Sequence, residues 1–380
     1  MVNIKKKKIV FFMNSLSGYG GSKKMTISLV NKLSNIYDIK MICLFQSGEP
    51  SYYISPNVSV VTIYDKVLKI YELSTYRKML KELKFKEIYE LCMNLFYILF
   101  YYPQAKKKVG NIIKDVDSIV IPEIYGILYI SRKYKLNKDI IMQLHTSYKF
   151  IKENIIIINV LKIYKKNITK LIVLTDADKK KFENDSFMNV VRIYNSIETK
   201  DYLEERNITE KIVFIGRLDI VKGVDYVLEI AKEVLSKRKA CFEIYGDGPL
   251  KMNLKDSIER NGLSEYVKMK GNTDDVFSVL KNANCLIVPS RNEGLPMVFL
   301  ESFSCGVPIV AFRCFEGIDE VIINGKNGFL VDVGDIENAA RNVVLLLDNI
   351  DLNHNMGKHG FESIEKFKEK NIFEEWKKNL

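Results

Sequence analysis

CLIVPSRNEGLPMVFLESFSCG, residues 285–306, reads as a buried strand, a tight turn and a helix in succession. The run CLIVPS is apolar, β-branched and closed by turn residues, as a strand covered on both faces should be. Leu295 to Cys305 reads as helix. Pro296 suits its first turn, where a missing N–H costs nothing, and Gly306 suits its C-terminal stop. Glu293 then stands at the end of the strand and Glu301 about two helical turns later. Carboxylates are rarely buried without a partner, so this pair faces either solvent or something that offers hydrogen-bond donors. The N–H groups near Gly294 to Val298 make an anion site at the helix start, strengthened by the helix dipole. A phosphate there, with an acceptor-only carboxylate on each side to take hydroxyl hydrogen bonds, describes the binding of a sugar nucleotide.

Strand–turn–helix units of this kind recur along the chain. The second half offers KIVFIG (211–216), CFEIYG (241–246), VKMKG (267–271) and VPIVAF (307–312) beside CLIVPS. The first half offers KIVFFMN (8–14), IKMICLF (39–45), SIVIP (118–122), DIIMQL (139–144) and LIVLT in the 170s. Short β-branched runs alternating with amphipathic segments argue for parallel sheets with crossover helices. At 380 residues the chain is long enough for two cores. The expected fold class is α/β, with two similar doubly wound domains facing each other and ligand in the crevice beyond the strand C-termini. The polar, irregular stretch from Asn184 to Lys211 is the expected hinge, which gives an N-terminal domain over 1–195 and a C-terminal domain over 196–361. A last helix over about 362–380 is expected to pack back on the first domain.

The composition, 47% apolar and 28% charged, is that of an ordinary soluble protein. Six scattered cysteines (43, 92, 241, 285, 305 and 314) form no CxxC pair, and several sit in strand-like runs, which suits inert thiols in a reducing compartment. MVNIKKKKIVFFMN mimics a secretion signal, yet its apolar run is shorter than the ~7–15 residues such a region needs. No stretch approaches the ~18 apolar residues of a spanning helix. Charge divides unevenly: residues 1–200 carry 34 Lys and Arg against 17 Asp and Glu, whereas residues 201–380 carry 24 against 30. Basic clusters at 78–86 (KMLKELKFK) and 106–108 (KKK) flank the apolar-aromatic stretch LCMNLFYILFYYP (91–103). That arrangement fits a helix lying in an anionic lipid headgroup layer, or a solvated basic face over ordinary core. No finger, RNP-like or dimeric basic-helix signature points to nucleic acid.

Two further loops carry chemistry. GRLDIVKG (216–223) joins a strand to an amphipathic helix and projects Arg217 and Lys222, a pair able to hold a diphosphate and to neutralise charge on it as it leaves. SLSGYGGSKKM (15–25) follows the first strand. Its glycines allow positive φ and close backbone approach, but it is neither GxGxxG nor a Walker loop. It either touches phosphate or merely turns the chain. The DxD pairs Asp115–Asp117 and Asp176–Asp178 read as a strand approach and a helix start, so no metal is expected.

GRLDIVKGVDYVLEIAK, FEIYGDGPL, GNTDDV, VPSRNEGLPMVFLESFSCGVPIVAF and NGKNGFLV occur in the order found in retaining glycosyltransferases of GT-B fold, family GT4 or group 1, whose E-x7-E signature EGLPMVFLE resembles. The resemblance is strong over roughly 211–345 and diffuse before that. It implies that Glu293 contacts the transferred sugar and Glu301 the ribose. Arg217 and Lys222 would hold the diphosphate, helped by backbone from Gly294, Leu295, Met297 and Val298. Asn272 to Val276 would line the base, and Gly20 and Gly21 would lie near phosphates and acceptor. His145, in QLHTSYKF, matches a histidine placed beside donor sugar and acceptor, and Asn195, in IYNSIE, an asparagine that in relatives usually precedes the hinge, either on the acceptor side or purely a turn residue. CFEGIDEV (314–321) departs from the Gly-Pro-Ser or Gly-Gly that many relatives carry there.

The implied activity is same-face transfer of a hexose or N-acetylhexosamine from a nucleotide sugar, a UDP-sugar on base rates, with no metal or other cofactor. The departing phosphate would help take the acceptor's proton. The implied acceptor is a lipid-linked saccharide in bacterial cell-envelope, capsular or lipopolysaccharide synthesis, reached by a cytoplasmic protein peripheral at the inner membrane face. The high Lys, Asn and Ile content matches an AT-rich bacterial genome. Two rival readings are weaker. A dinucleotide-dependent oxidoreductase needs GxGxxG and an acid ~20 residues on, and KMICLF (40–45) supplies none. A non-catalytic membrane- or glycan-binding scaffold has no need to keep Arg217, Lys222, Glu293 and Glu301 together.

Overall fold

The computed structural model describes residues 6–18, 20–45, 48–64, 85–130, 138–198 and 207–380, and, in the helix that begins at Phe85, the side chains of Met93 and of residues from 96 onward. Residues 78–84 of the basic cluster, the side chain of Lys86, the thiol of Cys92 and residues 199–206 of the expected hinge lie outside these.

Two parallel sheets form. The first has strands β1 (Lys8–Met13), β2 (Asp38–Phe45), β3 (Val58–Tyr64), β4 (Ser118–Ile121), β5 (Asp139–Gln143), β6 (Lys170–Val173) and β7 (Val190–Arg192), in the order β3-β2-β1-β4-β5-β6-β7. The second has β8 (Lys211–Ile215), β9 (Cys241–Tyr245), β10 (Val267–Gly271), β11 (Cys285–Val288), β12 (Ile309–Phe312) and β13 (Gly328–Val331), in the order β10-β9-β8-β11-β12-β13. Each order runs outward both ways from its first strand, which makes each sheet doubly wound. Central strands such as Ile9–Met13 and Cys285–Val288 are buried throughout, as strands with helices on both faces must be. All ten expected strands form. Val58–Tyr64, Val190–Arg192 and Gly328–Val331 are additional, and each lies at or beside a sheet edge.

The helices are α1 (Gly21–Leu33), α2 (Phe85–Ile112), α3 (Tyr148–Glu153), α4 (Ile155–Tyr164), α5 (Asp176–Asn184), α6 (Val224–Leu235), α7 (Lys251–Arg260), α8 (Val276–Leu280), α9 (Met297–Ser304), α10 (Ile336–Asp348), α11 (Ile350–Ser363) and α12 (Glu369–Asn379). In α6, Val224, Val227, Leu228, Ala231 and Val234 are buried, the i, i+3, i+4, i+7 stripe that holds a helix to a sheet. In place of one boundary at 195/196, the compact units interleave. One comprises Met1–His145, Asn154–Ile172 and Ser186–Val191, and the other Thr146–Glu153, Val173–Asp185 and Arg192–Leu380. Helix α12 pairs its Glu375 with Arg192 at 3.3 Å, just N-terminal to the boundary read from sequence yet within the second unit.

Candidate functional site

The second sheet has its switch point between β8 and β11, the neighbours from which strand order runs outward. The loops leaving their C-terminal ends meet through glycine. Gly223 has φ +66°, and a Cβ there would lie 1.8 Å from the carbonyl oxygen of Pro289. Gly246, at φ +136°, would set a Cβ 1.9 Å from the carbonyl oxygen of Gly216. Only glycine allows backbone to approach backbone this closely.

Side chains then fasten the junction. The Arg291 guanidinium donates to both Asp225 oxygens at 2.7 and 2.6 Å and to the Ile220 carbonyl at 2.7 Å. It also lies 4.0 Å over the Tyr226 ring. Burial pulls the Asp225 carboxyl up, but the bonds and charge of Arg291 outweigh it and hold it below its ordinary value. In the β8 loop, the buried Asp219 accepts the Lys222 main-chain N–H at 2.8 Å and the Arg217 Nε–H. One carboxylate thus shapes the turn between the two expected cations.

Those cations meet different partners. The Lys222 ammonium donates to both oxygens of Glu293, at 2.6 and 2.8 Å, and Ser290 Oγ donates to Oε1 at 2.8 Å. Lysine and glutamate from loops on adjacent strands, β8 and β11, therefore close one bidentate pair. Arg217 remains 61% exposed beside Asp219. Near the pair, burial and the Glu293 charge push the Cys314 thiol far up, so it stays protonated and inert.

Helix α9 begins at Met297 and not at Leu295, because Pro296 takes an extended ψ of 126° and becomes the N-cap. Glu301 sits in it at 4% exposure. Gly294 and Leu295 are buried, and Met297 and Val298 half-buried. Asn195, also buried, donates its amide to the Leu295 carbonyl at 2.9 Å, which ties the loop before α9 in place. Asn272 (exposed) and Val276 (half-buried) lie between β10 and α8. The Gly246 N–H donates to the Gly271 carbonyl at 2.7 Å, joining the loops after β9 and β10. In CFEGIDEV, Glu320 accepts the N–H groups of Asp176 and Ala177, both at 2.9 Å, and so caps α5. Asp117 and Asp178 likewise accept main-chain N–H groups, from Lys8 and Tyr148.

Three expected residues belong to the first unit. Gly20 is the N-cap of α1 and donates its N–H to Tyr52 Oη at 3.1 Å, and Gly21 opens the helix. His145 follows the C-terminal end of β5. Both ring nitrogens are shut from solvent without a hydrogen bond, and burial lowers its pKa from 6.5 to about 4. Between those values the unfolded chain binds a proton that the folded chain does not, so stability is complete above about pH 6.5 and falls as pH drops toward 4. At ~1.4 kcal/mol per unit, the loss reaches about 3 kcal/mol. Urea unfolding of wild type and His145→Gln between those two pH values tests this. The variant should show the shallower pH dependence, and equal slopes would refute the assignment.

Asp219 and Arg291 escaped the sequence reading. The aspartate in RLD, two residues after Arg217, is the type of side chain that closes a turn on its own backbone, and that signal was readable. Arg291 gave none, because its partner Asp225 is distant in sequence.

With this geometry in hand, the comparisons are specific. The glycosyl transferases group 1 family matches residues 197–363. An uncharacterized glycosyltransferase of Haemophilus influenzae is 26% identical over 98% of this chain and 99% of its own. The poly(ribitol-phosphate) α-N-acetylglucosaminyltransferase of Staphylococcus aureus is 29% identical over 66% of this chain and 49% of its own. A mutant of S. aureus TarM, solved with fondaparinux, α-GlcNAc-glycerol and UDP, superposes with a TM-score of 0.76 at 16% identity, covering 98% of this chain and 99% of TarM. The last likeness establishes a GT-B fold of two Rossmann-like domains. Residues 197–363, the stretch that carries Arg217, Lys222, Glu293 and Glu301, are thus similar to the glycosyl transferases group 1.

Proposed function

We propose that the protein is a retaining, metal-independent transferase of a hexose or N-acetylhexosamine from a UDP-sugar to a lipid-linked saccharide of the bacterial envelope, working at the inner membrane face. The observation that carries this is the Lys222–Glu293 pair at the switch point of the second sheet, flanked by Arg217 and by the start of α9. On donor binding, the Lys222 ammonium turns from Glu293 to the diphosphate. Arg217 and the α9 N–H groups share that charge, and Glu293 is freed to accept from the sugar hydroxyls. As the sugar–phosphate bond breaks, these cations hold the departing charge, the role a divalent ion serves elsewhere. The phosphate oxygen takes the acceptor's proton on the same face, so Glu293 need not become a covalent nucleophile. The S. aureus relatives support the class of donor and of product, since UDP and α-GlcNAc occur in their names.

Incubation with a mixed pool of nucleotide sugars and NAD, followed by mass spectrometry of what the protein retains, tests the donor. A UDP-sugar should be retained and should raise the melting temperature. Retention of NAD instead would overturn the reading.

A further inference from the structure

Two helices of the first unit turn apolar side chains outward. Helix α4, IIIINVLKIY, buries Ile158, Leu161 and Tyr164 and exposes Ile155, Ile156 and Ile163 on its other side. A helix apolar on all sides is normally enclosed, yet Ile155 is 72% exposed. Helix α2 exposes Phe96, Leu99 and Phe100, spaced as one stripe, with Leu99 also 72% exposed and the two phenyl rings 6.0 Å apart. Both helices pack against the same segment, Ile124–Tyr129, and Tyr125 of that segment is exposed as well. Exposed Lys162 lies between the α4 isoleucines, exposed Lys166 follows that helix, and exposed Lys107 follows the α2 stripe.

Monomeric proteins rarely leave apolar area of this kind uncovered. The lysines choose the occupant. They would oppose each other across a contact between two copies, whereas they complement an anionic headgroup layer. Among the described residues no helix is long and apolar enough to cross a membrane, so the face suits a bilayer surface and not a span. We infer that α4 and α2 together form a docking face for an anionic lipid surface, with the α4 isoleucines inserted beside the α2 aromatics. This deepens the proposed function by naming the surface through which a lipid-linked acceptor is reached, and it rests on that reading for its purpose but not for its test.

The test is co-sedimentation of the full chain with phosphatidylglycerol–phosphatidylcholine vesicles and with phosphatidylcholine vesicles alone. Wild type should sediment with the anionic vesicles and much less with the neutral ones. Ile155→Ser/Ile156→Ser/Ile163→Ser and Phe96→Ser/Leu99→Ser/Phe100→Ser should each lose about tenfold or more in partitioning. Single substitutions Ile163→Ser and Phe100→Ser, milder and at exposed positions, should each lose part of it if a triple variant fails to fold. Absence of wild-type binding, or α4 variants that bind like wild type, would overturn the proposal. So would a lipid-free dimer that the same substitutions dissolve. A UDP-sugar thermal shift read in parallel separates the two ideas, because its absence would sink the transferase reading and leave vesicle binding as measured.

Discussion

Replacing Lys222 by alanine is expected to lower kcat for sugar transfer about a hundredfold or more, with a smaller loss in UDP affinity. Preorganised charge aimed at a leaving group commonly contributes 10²–10³. Here a main chain fixed on Asp219 sets where the lysine starts, and two bonds to Glu293 hold the ammonium until it turns to the donor. Glu293→Ala should produce a loss of similar order, since it removes both the proposed contact to the sugar and the anchor of Lys222. The decisive quantity is the double variant. Groups that act as a unit lose far less together than the sum of their separate losses. Lys222→Ala/Glu293→Ala should therefore be scarcely slower than the worse single variant. Additive losses would show that the pair seen here is an incidental ion pair. Near-wild-type kcat in both single variants would remove the two residues from the chemistry altogether. Lys222→Arg is expected not to rescue, because a planar fork does not reproduce a compact ammonium in the same space.

The E-x7-E stretch and the GRLDIVKG loop were legible because each is a local object: a strand, a turn and a helix start whose period and breakers lie within a few residues. Strand order follows the same logic, since short β-branched runs between amphipathic segments leave few topologies. What the sequence could not display was the partner of each charge. Lys222 and Glu293 stand 71 positions apart, and nothing local says that the cation assigned to phosphate rests on the acid assigned to sugar. Asn195 reads as a turn residue, and only the fold brings its amide to the Leu295 carbonyl, 100 positions on. His145 was read as pointing toward ligand; its unpartnered ring nitrogens and lowered pKa are properties of burial, invisible in QLHTSYKF. The added strand Val58–Tyr64 did carry a readable pattern, as VSVVTIY is almost wholly β-branched and aromatic.

Gly223→Ala is expected to be a strongly damaging single methyl group in the second unit. Its φ of +66° already disfavours a side chain by about 1–2 kcal/mol. The added Cβ would lie 1.8 Å from the Pro289 carbonyl oxygen, and no rotamer can relieve a clash between Cβ and backbone. The loop after β8 or the end of β11 must move, with a total cost of about 3 kcal/mol or more. That movement reaches the chemistry directly, because Gly223 follows Lys222, and about 1 Å of misplacement can cost a hundredfold in rate. Gly262→Ala isolates the contribution of φ. That glycine has nearly the same φ, +65°, but nothing within 4 Å of its would-be Cβ, so about 1–2 kcal/mol and an unaltered kcat are expected. Urea unfolding and transfer rates measured on the two variants side by side decide the matter. Equal, mild destabilisation with equal activity would mean that the loops after β8 and β11 do not meet as described, and the site built on their meeting would go with them.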